Sequence, residues 1–323
     1  MKILVTGAAG FLGARLIGTL LAEKTGTRDI SRVIAADIAP CPIDDPRVDR
    51  RTGTIADAGF TRSLVETDVD VVYHLAAVLS GQAEAEFDLG LQINVDATRG
   101  LLEACRRRAH APRFVYASTV AVFGGPVPEV VPEEWVVLPE SSYGAGKLIA
   151  ETLVTEYSRR GFVDGLSCRV PTVAVRPGKP NSAVSSFVSG LIREPLAGVD
   201  SICPIPLETR LWISSPDVAI RNLVHAGQVE TNDLEGRRVV NLPGLTVTPA
   251  EMLASLERHA GAGASARVRC QLDARIMTIV RTWPGALDVS RPLRLGFTAD
   301  PDIDSIVAQF IAGSSAAREV WQP

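Results

Sequence analysis

Five cysteines in 323 residues (Cys41, Cys105, Cys168, Cys203, Cys270), an odd number with no C-x-x-C pair, exclude a disulfide framework and a cysteine zinc site. They read as buried thiols of a reducing compartment. The four histidines (His74, His110, His225, His259) stand far apart, so no metal or catalytic work is assigned to them. No apolar run is long enough to span a bilayer, and the first residues pass directly into a strand-like stretch instead of a signal peptide. A cytoplasmic location is the expectation. Basic blocks are also missing: the longest is Arg106-Arg107-Arg108, and the net charge is −4, which speaks against nucleic acid and anionic membranes as partners. No internal repeat or low-complexity segment occurs.

What is present is a strand, a glycine turn and a helix. Ile3-Leu4-Val5 form a short aliphatic run, Gly7, Gly10 and Gly13 follow at the G-x-x-G-x-x-G spacing, and a helical pattern occupies 14–23. In a dinucleotide-binding unit the first glycine makes the tight turn, the second admits a pyrophosphate, and the third lets helix and strand touch. A second strand at 32–36 ends on Asp37, 24 residues after Gly13. An acid there binds the adenine ribose and repels a 2′-phosphate, and Ile38-Ala39-Pro40 supply no cation to receive one. The cofactor read from these residues is NAD.

Beyond this unit, strands are expected at 51–55, 69–77 and 113–118, and helices at 57–66 and 83–107 and from 141 onward. The alternation predicts an α/β fold, a doubly wound parallel sheet (Rossmann fold), with a smaller C-terminal α/β substrate-binding region. The boundary falls near 170: 1–170 binds NAD, 171–323 holds mostly substrate, and segments near 205–242 return to the first domain. In the second part, helices are expected at 183–193, 216–227 and 303–312 and strands at 201–204, 210–213 and 238–242. A loop is expected at 176–181, and Thr248-Pro249-Ala250-Glu251 has the capping-box spacing of a helix running to about 260.

The chemistry lies in Tyr143 and Lys147, four apart on one helical face. A phenol titrates near pH 10, and a neighbouring ammonium lowers that value, so the pair can remove a proton from an alcohol. With four tyrosines and four lysines in the chain, chance produces this spacing about one time in twenty. Ser118-Thr119, at the end of the preceding strand, offer a hydroxyl for the substrate oxygen.

Thr6-Gly7-Ala8-Ala9-Gly10-Phe11-Leu12-Gly13, Leu75-Ala76-Ala77, Asn94, Ser118-Thr119 ahead of Val122-Phe123-Gly124, and Tyr143-Gly144-Ala145-Gly146-Lys147 together resemble the extended short-chain dehydrogenase/reductase family over nearly the whole chain. The resemblance implies Gly7, Gly10, Phe11, Leu12 and Gly13 at the pyrophosphate, Asp37 at the ribose and Ile55 at the adenine edge. Leu75, Ala76 and Ala77 pass beneath the cofactor with Asn94 supporting them, and Pro171 and Val173 meet the nicotinamide. Tyr143 is the base, Lys147 tunes it and binds ribose, and Thr119, five before Gly124, is favoured over Ser118 as donor to the substrate oxygen. Two positions depart from the family pattern: Phe123 replaces a tyrosine near the pocket, and Gly53-Thr54-Ile55 lacks the usual acid.

Within the family the likeness is to dehydrogenases of short sugar acids, so the expected partner is a small-molecule sugar acid. Its carboxylate needs a cation or several N–H donors, and Arg176, Arg210 and Ser80 are the substrate candidates. The expected reaction is NAD-dependent oxidation at C2 of a short aldonate. The alternatives are a sugar-nucleotide epimerase or dehydratase with the same Tyr–Lys apparatus, and a non-catalytic NAD-binding protein. The family also implies a homodimer through the helices holding Asn94 and Lys147, with Leu148, Leu153 and Val154 as the apolar stripe.

Overall fold

A computed structural model describes residues 1–22, 29–65, 68–178 and 183–320, with side-chain detail up to 313. The chain opens with β1 (Lys2–Thr6), α1 (Phe11–Ala22), β2 (Arg32–Asp37), β3 (Val48–Thr52), α2 (Ala58–Leu64) and β4 (Val71–His74). Two short helices, α3 (Ser80–Ala85) and α4 (Phe87–Leu91), lead through a π-helical turn (Gln92–Ala97) into α5 (Thr98–Arg106). β5 (Arg113–Thr119), α6 (Ser142–Arg159), β6 (Asp164–Val170) and β7 (Thr172–Val173) follow. The remainder holds α7 (Ser186–Leu196), β8 (Ser201–Cys203), β9 (Leu211–Ser214), α8 (Pro216–Ala226), β10 (Val239–Asn241), β11 (Leu245–Val247), α9 (Pro249–Ala260) and β12 (Val268–Cys270). It closes with α10 (Ala274–Val280), α11 (Ser290–Arg294) and α12 (Ile303–Val320).

Seven strands form one parallel sheet in the order β10-β6-β5-β4-β1-β2-β3. Chain direction across the sheet reverses between β1 and β4, which opens a crevice at their carboxyl ends. Strand residues alternate between two apolar layers. Ile3, Val5, Val33, Tyr73, Val115 and Leu166 meet α1 and α8, whereas Leu4, Ile34, Val72, Phe114 and Tyr116 meet α2, α5 and α6. A sheet buried on both faces is what the continuous aliphatic strands require. A second lobe gathers α7, α9, α10 and α12 around the small sheet β11-β9-β7 and the pair β12-β8.

The structure corrects several expectations. β3 lies at 48–52, because Val48 pairs with Val33 only two residues past Pro46, and Ile55 follows it in a loop. The helix expected at 83–107 is broken: Glu86 takes a non-helical φ of −125° and ψ of 74°, and the backbone passes through a π turn in which Asn94 is buried. Within 205–242, β10 joins the large sheet and α8 covers it, but β9 pairs with β7 and β11 in the small one. Cys270 is exposed, unlike the other four thiols. Val154 is fully buried in the core, while Leu148 and Leu153 are partly buried and pack against core clusters; Ile149 is an apolar side chain that α6 exposes. The ends expected at Glu23 and Glu66, and Lys179–Asn181 of the 176–181 loop, lie outside the described residues. The capping box at Thr248 and Glu251 forms, and Ser141 caps α6 through Gly144. No helix among the described residues is long and apolar enough to cross a membrane.

The turn from β1 into α1 is held by contact. Gly7 adopts φ +73°, and a Cβ on Gly13 would lie 2.0 Å from the Gly7 carbonyl oxygen. Gly13→Ala is therefore expected to destabilise the protein by about 2 kcal/mol, measured by denaturant unfolding, because backbone on both sides must separate.

Candidate active site

The crevice is lined first by the glycine turn. Gly10 N donates to Gly7 O (3.1 Å) and Ala14 N to Gly10 O (2.9 Å), which sets the first turn of α1 with its leading N–H groups unpaired inside the helix. Asp37 closes the turn from the side: its Oδ2 accepts from Ala9 N (3.0 Å) and its Oδ1 from Ala39 N (3.1 Å). The Asp37 carbonyl accepts from Gly53 N (2.8 Å), which brings the loop carrying the buried Ile55 alongside. A Cβ on Gly7 would lie 2.8 Å from Ala76 N, so Leu75, Ala76 and Ala77 run directly beside the turn. An open backbone cradle with free amides and an acid at the second strand's end suits the pyrophosphate and ribose of NAD.

Beneath this cradle lies a fully buried polar chain, of which the sequence marked Thr6 and Asn94 but not the work of His74 or Thr98. Thr6 Oγ1 bonds His74 Nδ1 (2.6 Å) and accepts from Ala76 N (3.3 Å), His74 Nε2 bonds Thr98 Oγ1 (2.9 Å), and Thr98 donates to Asn94 O (3.0 Å). Asn94 grips both peptide groups of Val78, accepting from its N–H (2.9 Å) and donating to its carbonyl (3.1 Å). Burial pushes the His74 imidazole down to about 3, with Lys147 adding in the same direction.

On the other wall, Lys147 is 2% exposed, and its Nζ donates to Ala117 O (2.7 Å) while sitting 4.6 Å from the Tyr116 ring centre and 5.8 Å from that of Tyr143. Burial pushes its ammonium down to about 7, and Glu151 opposes the shift. The Tyr143 phenol is pushed up to about 12 by burial, opposed by the neighbouring Thr119 hydroxyl and the Arg176 charge. Ser118 turns the other way, and its Oγ donates to Glu151. The structure thus brings Thr119, but not Ser118, to Tyr143. Phe123 is fully buried, with the Arg169 guanidinium 5.1 Å from its ring centre.

The substrate candidates separate. Arg176 reaches the Tyr143 side of the crevice and pairs with no carboxylate among the described residues; burial and the Arg193 charge lower its pKa. Its backbone is held by α7, with Ser189 Oγ accepting from its N–H (3.0 Å) and Arg193 donating to its carbonyl (2.8 Å). Ser80 opens α3, and its Oγ accepts from Val184 N (3.2 Å). Arg210 is half-exposed and paired with Glu129 (2.9 Å). Pro171 and Val173 are buried where β6 passes into β7. Glu151, missed from sequence, was marked by its position four residues beyond Lys147 on the same face.

Comparisons with known proteins show the family and the fold. The sequence matches the NAD dependent epimerase/dehydratase family over residues 3–234. It is 48% identical over 324 residues to D-erythronate dehydrogenase of Cupriavidus necator, covering 98% of this chain and 100% of that one. It is 40% identical over 313 residues to D-erythronate dehydrogenase of Haemophilus influenzae, covering 96% and 99%. Among solved structures, the nucleoside-diphosphate-sugar epimerase from Agrobacterium tumefaciens superimposes with a TM-score of 0.91 at 37% identity, covering 95% of this chain and 92% of that one.

The buried His74 makes stability depend on pH. The unfolded chain binds its proton below about 6.5, whereas the native imidazole does so only near about 3, so stability is complete above that window and falls as pH drops through it. This contribution is expected to shrink by about 2 kcal/mol between pH 7 and pH 5, and His74→Asn to remove that part of the slope in unfolding titrations.

Proposed function

The chain belongs to the NAD dependent epimerase/dehydratase family and is an NAD-dependent oxidoreductase, and from that premise we propose that it oxidises the C2 hydroxyl of D-erythronate, or of a closely related aldonate, to the 2-oxo acid. The observation that carries the reading is the Tyr143 phenol beside the Thr119 hydroxyl, under the charge of Arg176, which pairs with no carboxylate among the described residues. The names of the relatives at 48% and 40% identity support the choice of substrate.

In this reading Tyr143 takes the hydroxyl proton and Thr119 donates to the substrate oxygen. Lys147, as an ammonium, favours the phenolate. Arg176 receives the substrate carboxylate through its planar fork, with Ser80 as a second polar contact. Arg210 ranks below Arg176, because its guanidinium is already engaged by Glu129. Bound NAD supplies the hydride acceptor. Gly7, Gly10, Phe11, Leu12 and Gly13 hold its pyrophosphate, Asp37 its ribose and Ile55 its adenine edge; Leu75, Ala76 and Ala77 pass beneath it with Asn94 supporting them, and Pro171 and Val173 meet its nicotinamide. A homodimer through α6 and the helices around Asn94 stays part of this reading, supported by the exposed Ile149 and Phe87 on those elements.

The likeness to a solved sugar epimerase supports a second reading, in which the same side chains oxidise a sugar-nucleotide carbon and the hydride returns. Net NADH absorbance separates the two. Accumulation with D-erythronate, above that with L-threonate or uronates, is the expected outcome, and conversion of a sugar nucleotide without accumulation would replace the reading. Tyr143→Phe is expected to lower turnover about 1000-fold with NAD affinity unchanged. Arg176→Met is expected to raise KM for the aldonate about 10- to 100-fold with a smaller effect on kcat, as steady-state kinetics would show.

A further inference from the structure

Three side chains recur every four residues along one face of α6: Tyr143, Lys147 and Glu151. The last three residues of β5 meet them one for one. The Ala117 carbonyl accepts from Lys147, the Ser118 hydroxyl donates to Glu151, and the Thr119 hydroxyl lies at Tyr143. Glu151, 2% exposed, is also gripped by Arg169, which donates from Nε to Oε1 (3.0 Å) and from Nη2 to Oε2 (2.8 Å). Arg169 is the register partner of Ser118 on the neighbouring strand, and its Nη1 extends to Asn241 Oδ1 (3.5 Å) on β10.

We propose that Glu151 is a positioning residue for the Tyr143–Lys147 pair: anchored by Arg169 and Ser118, it registers α6 against the end of β5 and is the negative charge that the Lys147 ammonium faces. This rests on the reading of Tyr143 and Lys147 given above. Stability alone does not call for a charge here, since well-packed apolar residues commonly replace a buried ion pair at no loss.

The groups around Lys147 fix the sign of the effect. Its own helix contributes Tyr143 and Glu151, β5 contributes Tyr116, β4 the uncharged His74, and β6 contributes Arg169 behind Glu151. On the π turn and α5 the buried polar side chains, Asn94 and Thr98, carry no charge, and the charged Asp96 and Arg99 are exposed. Glu84 of α3 is spent on Ser142 N, and Glu103 of α5 on Arg106 and Tyr157. Arg176 acts on Tyr143 from the loop after β7. Removing the Glu151 charge therefore weakens the hold of Lys147 on its proton and eases ionisation of Tyr143, so both proton losses move to lower pH. Removing the Arg169 charge does the reverse.

The test is the pH profile of kcat/KM for NADH formation by the full-length protein, with circular dichroism and NAD affinity confirming the fold of each variant. Glu151→Gln is expected to move both limbs down by about one pH unit and Arg169→Gln to move them up, whereas Glu151→Asp and Ser118→Ala stay in place even where rates fall. A lowered plateau with unmoved limbs in Glu151→Gln or Arg169→Gln, whichever folds, overturns the proposal. Loss of the fold in both, with Ser118→Ala unchanged, overturns it too, since the pair then serves stability only. Retained turnover in Tyr143→Phe is a different failure: it removes the underlying reading, and with it any assignment of the limbs.

Discussion

The contact between Gly13 and the Gly7 carbonyl is the constraint on which the site depends. With no side chain between them, α1 starts directly above the carboxyl end of β1, at the point where strand order reverses. From that start the first amides of α1 point into the crevice, and Asp37 can reach Ala9 from the neighbouring strand. Leu75, Ala76 and Ala77 can then pass close beside Gly7. A methyl added at Gly13 would force α1 away from the turn after β1, and one added at Gly7 would force that turn away from the segment after β4.

Charge in the crevice is unbalanced, and its sign suits the ligands. Lys147, Arg169 and Arg176 gather near the carboxyl ends of β5 and β6, with Glu151 as the anion among them. Each member is held to a carbonyl, a carboxylate or a neighbouring helix, so the excess positive charge faces inward without collapse. A pyrophosphate and a sugar-acid carboxylate are what such an excess attracts. The neutral chain from Thr6 through His74 to Asn94 supports the opposite wall without adding charge, because a buried imidazole is held unprotonated at neutral pH.

The parts of this arrangement that were legible in the sequence are local. A glycine turn after an aliphatic run, an acid at the end of the next strand and a Tyr–Lys pair one helical turn apart are each decided within a few residues. The parts that were not legible involve partners far apart in the chain: Ser118 with Glu151, Glu151 with Arg169, Thr6 with His74, Arg176 with α7. Ser118 and Thr119 illustrate the limit. Adjacent hydroxyls on a strand point to opposite faces, but which face holds the chemistry depends on which helix covers it.

By itself the sequence determined the order of strands and helices, the doubly wound class and the residue types able to bind NAD and move a proton, because periodicity and turn chemistry act over short distances. Tertiary structure alone decided the break of the 83–107 helix at Glu86 and the π turn around Asn94, the assignment of β9 to the small sheet, and the pairing of Arg210 with Glu129 in place of a free position for substrate. Those outcomes depend on partners far apart in the chain, which are set by the packed fold rather than by sequence neighbours, and for the buried groups among them, such as Asn94, a partner is required because water is excluded.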